Sequence, residues 1–369
     1  MANLTSGIMN KTMQKLTVLM VGAAAVSASY AAPRNWKSTL RETDPEFYKT
    51  EQATMIGDNL LLFQRETGGW QKNTDMTYQL TSAQRDSIAA DKSRHDDSTI
   101  DNDATTIQMH FLARLYQATG EGRFSEGFNR AIDFLLSGQY ENGGWPQFWP
   151  DNEGYQVHIT YNDDAIANIL KLFDDIINGR EPYQGKLVDD TMRTRLQDSF
   201  NRGIECILAT QIMVNNEPTV WCQQHDHISY EPAPARTYEL PSFCSQESAA
   251  IVELLMSIPD PDQRVRRAVH GAMKWFDNYR LDDVAIERTG RRGDPDFDIR
   301  LVEQPGAGPL WARFYDLENC RPFVCDRDGV PRERLDQIGT ERRFGYSWYN
   351  NRPAALYPLY EAWKAKNDE

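Results

Sequence analysis

Three tryptophans, Trp70, Trp145 and Trp221, stand 75 and 76 residues apart, and each follows an amphipathic stretch. Ile56, Leu60 and Phe63 precede the first; Phe128, Ala131, Ile132 and Leu135 the second; Ile204, Ile207, Leu208 and Ile212 the third. These are helical spacings. Gly68-Gly69 and Gly143-Gly144 follow the first two stretches and suit a helix stop with positive φ. After each tryptophan a polar cluster opens a further apolar helix: Asp101-Asn102-Asp103-Ala104, Asn162-Asp163-Asp164-Ala165 and Ser245-Gln246-Glu247-Ser248. Helices with Val265, Val269 and Phe276, and with Leu356, Leu359 and Trp363, complete the pattern. A repeat of this kind predicts antiparallel helical hairpins around an axis, an all-α incomplete α/α toroid with long irregular loops. The Gly- and charge-rich stretch from Val284 to Val324 predicts loops with a short hairpin.

Residues 1–32 read as an export signal. Lys11 and Lys15 precede the apolar run Leu16 to Val26, and Val26-Ser27-Ala28 offers small residues for cleavage. That run is too short to remain as a bilayer-spanning helix. Residues 33–369 carry no Ser/Gly linker and are expected to form one domain.

With 40 Lys+Arg against 54 Asp+Glu, the formal net charge is −14. Such a chain has no global attraction for nucleic acid or an anionic membrane. A polyanionic ligand needs local cations or a bridging metal. The five cysteines, Cys206, Cys222, Cys244, Cys320 and Cys325, lack zinc spacing and read as structural, with Cys320 and Cys325 close enough in sequence to close a small loop. His225-Asp226-His227 can suggest a metal site, but with no further ligand at recognisable spacing the signal is weak.

If the inner helices open at one end, Asp101, Asp103, Asp163 and Asp164 converge on one cleft. Converging carboxylates serve as acid and base in glycoside hydrolysis or as calcium ligands. A single such acid is explained equally well by helix capping. Arg236 lies in the proline-stiffened Glu231-Pro232-Ala233-Pro234-Ala235-Arg236-Thr237, where its planar fork suits carboxylate recognition. Arg321, Arg327, Arg342, Arg343 and Arg352 crowd the last third. Trp145, Phe148, Trp149, Tyr161, Tyr230, Trp348 and Tyr349 lie at loop–helix junctions, where core packing competes with sugar stacking. At this level the residues speak for a carbohydrate-type cleft with cations, carboxylates and aromatics and do not name the reaction; a hydrolase with paired Asp residues and a non-catalytic sugar-binding protein both stay open.

Six ordered motifs discriminate. Thr67-Gly68-Gly69-Trp70-Gln71-Lys72-Asn73, Ser98-Thr99-Ile100-Asp101-Asn102 and Gly143-Gly144-Trp145-Pro146-Gln147 resemble the family 10 polysaccharide lyases, bacterial pectate lyases. So do Ile159 to Ala165, Glu231 to Pro241 and Glu341 to Tyr349. The resemblance runs from about Tyr48 to the last helix, with one departure at Gln71, where the family has Pro. It implies calcium-assisted β-elimination of polygalacturonate by a monomeric, exported enzyme. Arg236 then corresponds to the catalytic base and Asp101 and Asp163 to the calcium positions. Lys72, Asn73, Asn102, Asn162, Arg321 and Arg343 correspond to substrate binding. An arginine base starts from an unperturbed pKa of about 12.5–13.8. Burial and nearby Ca²⁺ are expected to lower it, and an alkaline optimum follows.

Overall fold

A computed structural model describes residues 35–367. The export signal read in residues 1–32 lies outside the described residues. The first of eight principal helices is α1 (Glu51–Phe63); α2 (Thr106–Thr119) and α3 (Gly122–Gly138) follow. Next come α4 (Ala165–Ile177), α5 (Asp190–Thr210), α6 (Ser245–Ser257), α7 (Gln263–Asn278) and α8 (Leu356–Asn367). Helices α2 and α3, α4 and α5, and α6 and α7 pack as pairs, while α1, α2, α4, α6 and α8 contact one another in succession. Their apolar faces merge into one core in which Trp70, Trp145, Trp221 and Trp311 are fully buried.

The tryptophan repeat has a polar cause. Each indole Nε1–H donates to a carbonyl in the last turn of the preceding helix. Trp70 reaches Leu60 at 2.8 Å, Trp145 reaches Leu135 at 2.7 Å, and Trp221 reaches Ile207 at 2.7 Å. A buried indole needs an acceptor, and a helix's last carbonyls need donors. Trp311 makes the same bond to Phe276 at 2.9 Å, a fourth instance that its wider spacing conceals in the sequence.

The glycine pairs do not end the helices, which stop earlier, at Phe63 and Gly138. They shape the turn before each tryptophan instead. Gly68 (φ 96°) and Gly143 (φ 90°) lie where a Cβ would strike the backbone carbonyls of Arg130 and Arg202 on α3 and α5.

The all-α expectation requires correction, because small antiparallel sheets stand among the loops. Val284–Thr289 and Asp298–Glu303 form the short hairpin expected in that stretch; the other sheets go beyond that expectation. Pro331–Arg332, Pro322–Cys325, Phe314–Tyr315 and Phe243–Cys244 form a four-stranded sheet. Three of these strands have two residues, too few for period-two alternation to register in the sequence. A second apolar cluster, including Tyr238, Phe314, Phe323 and Trp348, packs with this sheet. All five cysteines are free thiols, Cys320 and Cys325 included.

Candidate active site

The turns that open helices α2 and α4 line a common cleft of about 500 Å³. The two acidic turns before α2 and α4 contact each other and repeat in conformation. Asn102 (φ 54°) corresponds to Asp163 (φ 49°), and Asp103 (φ 65°) to Asp164 (φ 63°). Asn and Asp are the residues other than glycine that most readily enter this left-handed region. Position one of each turn joins the two, since Asn162 Nδ2 donates to Asp101 Oδ1 at 2.8 Å.

Only some of the acids face the cleft. Asp103 is turned outward to Arg41 at 2.5 Å and Lys37 at 3.3 Å, and Asp164 is held by both Nη atoms of Arg352 at 2.9 and 2.8 Å. The expectation that all four would converge therefore fails for the third position of each turn, where an ion pair claims the carboxylate. Asp101 and Asp163 remain among the cleft residues.

Asp101 is buried and pairs with Lys72 Nζ, which also lies 5.1 Å from the centre of the Phe148 ring. Asp163 behaves differently. Burial pushes its carboxyl up to about 6; Arg313 works against this, and the charges of Glu247, Asp101 and Asp164 add to it. Nitrogen Nη2 of Arg313 is 3.8 Å from Asp163 Oδ1, 3.3 Å from Asn162 Oδ1 and paired closely with Glu247. That guanidinium is buried over Tyr346, at 4.6 Å. Burial pulls its pKa down, but Glu247 and its neighbours more than offset this and keep it charged.

Opposing influences also act on Arg236. Burial lowers its pKa, yet hydrogen bonding and charge from Glu239 leave it well above the usual arginine value. Nitrogen Nε donates to Glu239 Oε2 at 2.7 Å, and Nη2 pairs with Oε1. Tyr346 Oη donates to the same Oε1 at 2.7 Å. The expected lowering by burial is thus overridden by a carboxylate three residues away. The loop itself is tied back by Ala233 N–H to Gln224 O at 2.9 Å and Ala235 N–H to Glu239 O at 3.0 Å.

Lys72, Asn73, Asp101, Asn102, Asn162, Asp163 and Arg236 all line the cleft. Two expected binding residues do not. The Arg321 backbone N–H caps a turn at Asp316 Oδ2, 2.8 Å away, and Arg343 Nε faces Asp298 at 3.4 Å in a separate depression. Arg313, Arg327 and Arg342 supply the basic wall instead. Arg342 lies over Tyr238 at 4.6 Å, and its carbonyl accepts from Trp348 Nε1 at 2.9 Å. The sequence signal for Arg313 was a charge inside the apolar run Trp311-Ala312-Arg313-Phe314-Tyr315. Gln71, the departure from the family pattern, accepts from Arg65 Nη2 at 2.8 Å and so joins the buried Arg65–Asp97 pair.

Two acidic side chains, a cationic wall and an arginine with a carboxylate partner make a cleft whose charges suit an anionic ligand. The sequence profile of the pectic acid lyases matches residues 64–357, and the chain belongs to that family. It is a polysaccharide lyase acting on pectate. The family 10 polysaccharide lyase from Cellvibrio cellulosa is similar in structure, with 32% identity over 86% of this chain and 94% of that one, at a TM-score of 0.75. A mutant of that enzyme in complex with trigalacturonic acid is similar at 31% identity over 86% and 95%, also with a TM-score of 0.75. No curated protein matches the chain. Among the described residues, no helix is long and apolar enough to cross a membrane.

Proposed function

We propose that the chain cleaves polygalacturonate by β-elimination, with Ca²⁺ held by Asp101 and Asp163 and with Arg236 as the base. The observation that carries this reading is the meeting of both carboxylates and Arg236 in one cleft walled by further arginines. The trigalacturonic acid bound by the Cellvibrio relative supports the choice of sugar.

The donor set fits calcium. Both candidate ligands are hard oxygen donors, and the raised pKa of Asp163 marks a carboxylate that its neighbours leave short of positive charge. When bound there, Ca²⁺ supplies charge against a uronate carboxylate and makes the adjacent C5 hydrogen more acidic. Lys72, Arg313 and Arg342 hold uronate carboxylates, and Asn73, Asn102 and Asn162 offer polar contacts. Arg236 in its neutral form takes the C5 proton. The C5–H electron pair becomes the C4–C5 double bond, the C4–O4 bond breaks with its pair on O4, and water protonates that oxygen.

We further infer that the succession α1, α2, α4, α6, α8, with α3, α5 and α7 outside, is an incomplete α/α toroid formed by one catalytic domain. Pairwise packing of the outer helices on the inner ones supports this. The signal-like pattern in residues 1–32 supports export of the enzyme.

Incubation with polygalacturonate at alkaline pH, with and without calcium, tests the reading through ultraviolet absorbance of the unsaturated product. Wild type should generate it only with calcium, and Arg236→Ala and Arg236→Lys should lose it. Near wild-type turnover in either variant overturns the role given to Arg236.

A further inference from the structure

His225, Asp226 and His227 are adjacent in the chain, yet the fold turns His225 away from the other two. His225 is fully buried and used up. Its Nε2 accepts from the Cys222 N–H at 3.0 Å, and its Nδ1–H donates to Tyr230 O at 2.8 Å. A different histidine takes its place beside Asp226. His158 precedes the short strand Ile159–Thr160, which pairs antiparallel with Gln224–His225 in the register Ile159 to His225. His158 and Asp226 are therefore the next residues out on the two chains, and His227 follows.

A ring nitrogen of His158, one of His227 and an Asp226 carboxylate oxygen all lie within 4.8 Å of one another. Nitrogen Nδ1 of His158 is 3.8 Å from Asp226 Oδ2, too far for a hydrogen bond. Moreover, Nδ1 of His158 and Nδ1 of His227 are both buried without a hydrogen-bond partner. Buried polar atoms are rarely left so. Two orphaned nitrogens in one cluster indicate lone pairs available to a common partner. The surroundings hold the rings in place. Tyr140 packs on His227 with ring centres 5.4 Å apart and donates to Val157 O at 2.9 Å, while Asn142 Nδ2 donates to His227 O at 2.7 Å. Asp226 is fixed too, since its Oδ1 accepts from Ile228 and Ser229 N–H at 2.9 and 2.8 Å.

We propose that His158, Asp226 and His227 form a second metal site, for an imidazole-preferring divalent ion of the zinc class. Calcium takes oxygen ligands, and this cluster offers one carboxylate; two imidazoles with a carboxylate suit zinc and its transition-metal neighbours. Zinc bonds of about 2.0–2.2 Å put tetrahedral ligands about 3.4 Å apart, a closing movement that half-buried side chains can make. Water would complete the fourth position. The ion would clasp two segments. One runs through Ile159–Thr160 to the Asn162–Asp163 turn, and the other leads back to Gln224, whose carbonyl accepts from Ala233 N–H of the Arg236 loop at 2.9 Å. Its effect is to brace the cleft from outside.

The test uses full-length protein stripped of metal and titrated with zinc chloride, with excess calcium occupying the oxygen-donor site. Calorimetry and elemental analysis should give one zinc per chain. Zinc should raise the melting temperature of the wild type by a few degrees at saturation. His158→Gln and His227→Gln should each weaken zinc binding more than roughly tenfold and remove the thermal shift. Cobalt(II) added to wild-type protein should give visible bands of a four-coordinate nitrogen–oxygen site, a readout independent of whether the variants fold. Absence of stoichiometric zinc, zinc affinity unchanged in either variant, or a cobalt spectrum matching the hexa-aqua ion would each overturn the proposal.

Discussion

Glu239 holds Arg236 from three directions: its Oε2 accepts from the arginine's backbone N–H at 3.1 Å and from Nε at 2.7 Å, and its Oε1 pairs with Nη2. The nearly buried carboxylate fixes the guanidinium and at the same time stabilises its charged form, the form that could not serve as the base proposed above. Far below the Arg236 pKa, each pH unit raises the neutral fraction about tenfold, so log kcat should climb with near-unit slope through the alkaline range. Replacing Glu239 by Gln removes the anion, lowers the Arg236 pKa and should displace that limb to lower pH by about one unit or more. A pH–rate series on Glu239→Gln checks this, and an equal loss of rate at every pH would count against it.

Asp163 presents the opposite balance. Its carboxyl, raised to about 6 by burial, Glu247, Asp101 and Asp164 against the pull of Arg313, is ionised at neutral pH at the expense of folding. Asp163→Asn keeps a residue that tolerates the left-handed turn and removes the charge. The calcium-free variant should therefore melt above the calcium-free wild type at pH 7.5, while calcium affinity and lyase activity collapse. Differential scanning calorimetry with and without EDTA makes the comparison.

Calcium binding should weaken as pH falls through about 6, because protonation of Asp163 competes with the metal. Below that pH the loss should approach about tenfold per unit from this group alone. Calorimetric titration with calcium between pH 5 and pH 8 measures it, and EDTA at any pH should abolish turnover.

Arg313 and Glu247 form a pair buried at both ends. Removing one partner strands the other in a dry interior, so Arg313→Met should destabilise the protein by about 3–5 kcal/mol. Adding Glu247→Leu should restore much of that loss, since an apolar pair of similar volume has no charge to desolvate. Urea unfolding of the single and double variants gives the coupling.

The placement of the C-terminal arginines can be tested by kinetics. Arg342→Ala should raise KM for polygalacturonate about tenfold, the value of a charge-assisted hydrogen bond, with the fold intact. Arg321→Ala and Arg343→Ala, outside the cleft, should leave KM within roughly twofold of wild type.

What the sequence disclosed follows from the range of the interactions involved. Amphipathic spacing, the indole repeat and the acidic turns are local, and they gave the helices, their pairing and the positions of Asp101 and Asp163. The Arg236 loop was legible through its prolines. Arg313 was not, because its partners Glu247 and Asn162 lie 66 and 151 residues away. Likewise, nothing near Asp103 or Asp164 in sequence announces Lys37, Arg41 or Arg352, which turn those carboxylates outward. The adjacent Arg342 and Arg343 are alike in chemistry and differ only in the side of the backbone from which they project. The two-residue strands owe their existence to tertiary pairing alone.

The left-handed turns at Asn102 and Asp163 restrict what mutation can explore. At each position one side chain must tolerate an unusual backbone geometry and, in the proposed reading, also serve the reaction, Asn102 by a polar contact to the sugar and Asp163 by its charge towards calcium. Saturation libraries should retain active clones almost exclusively as Asn or Asp at position 102 and as Asp at position 163, so new substrate preferences are more readily sought by varying the arginine wall.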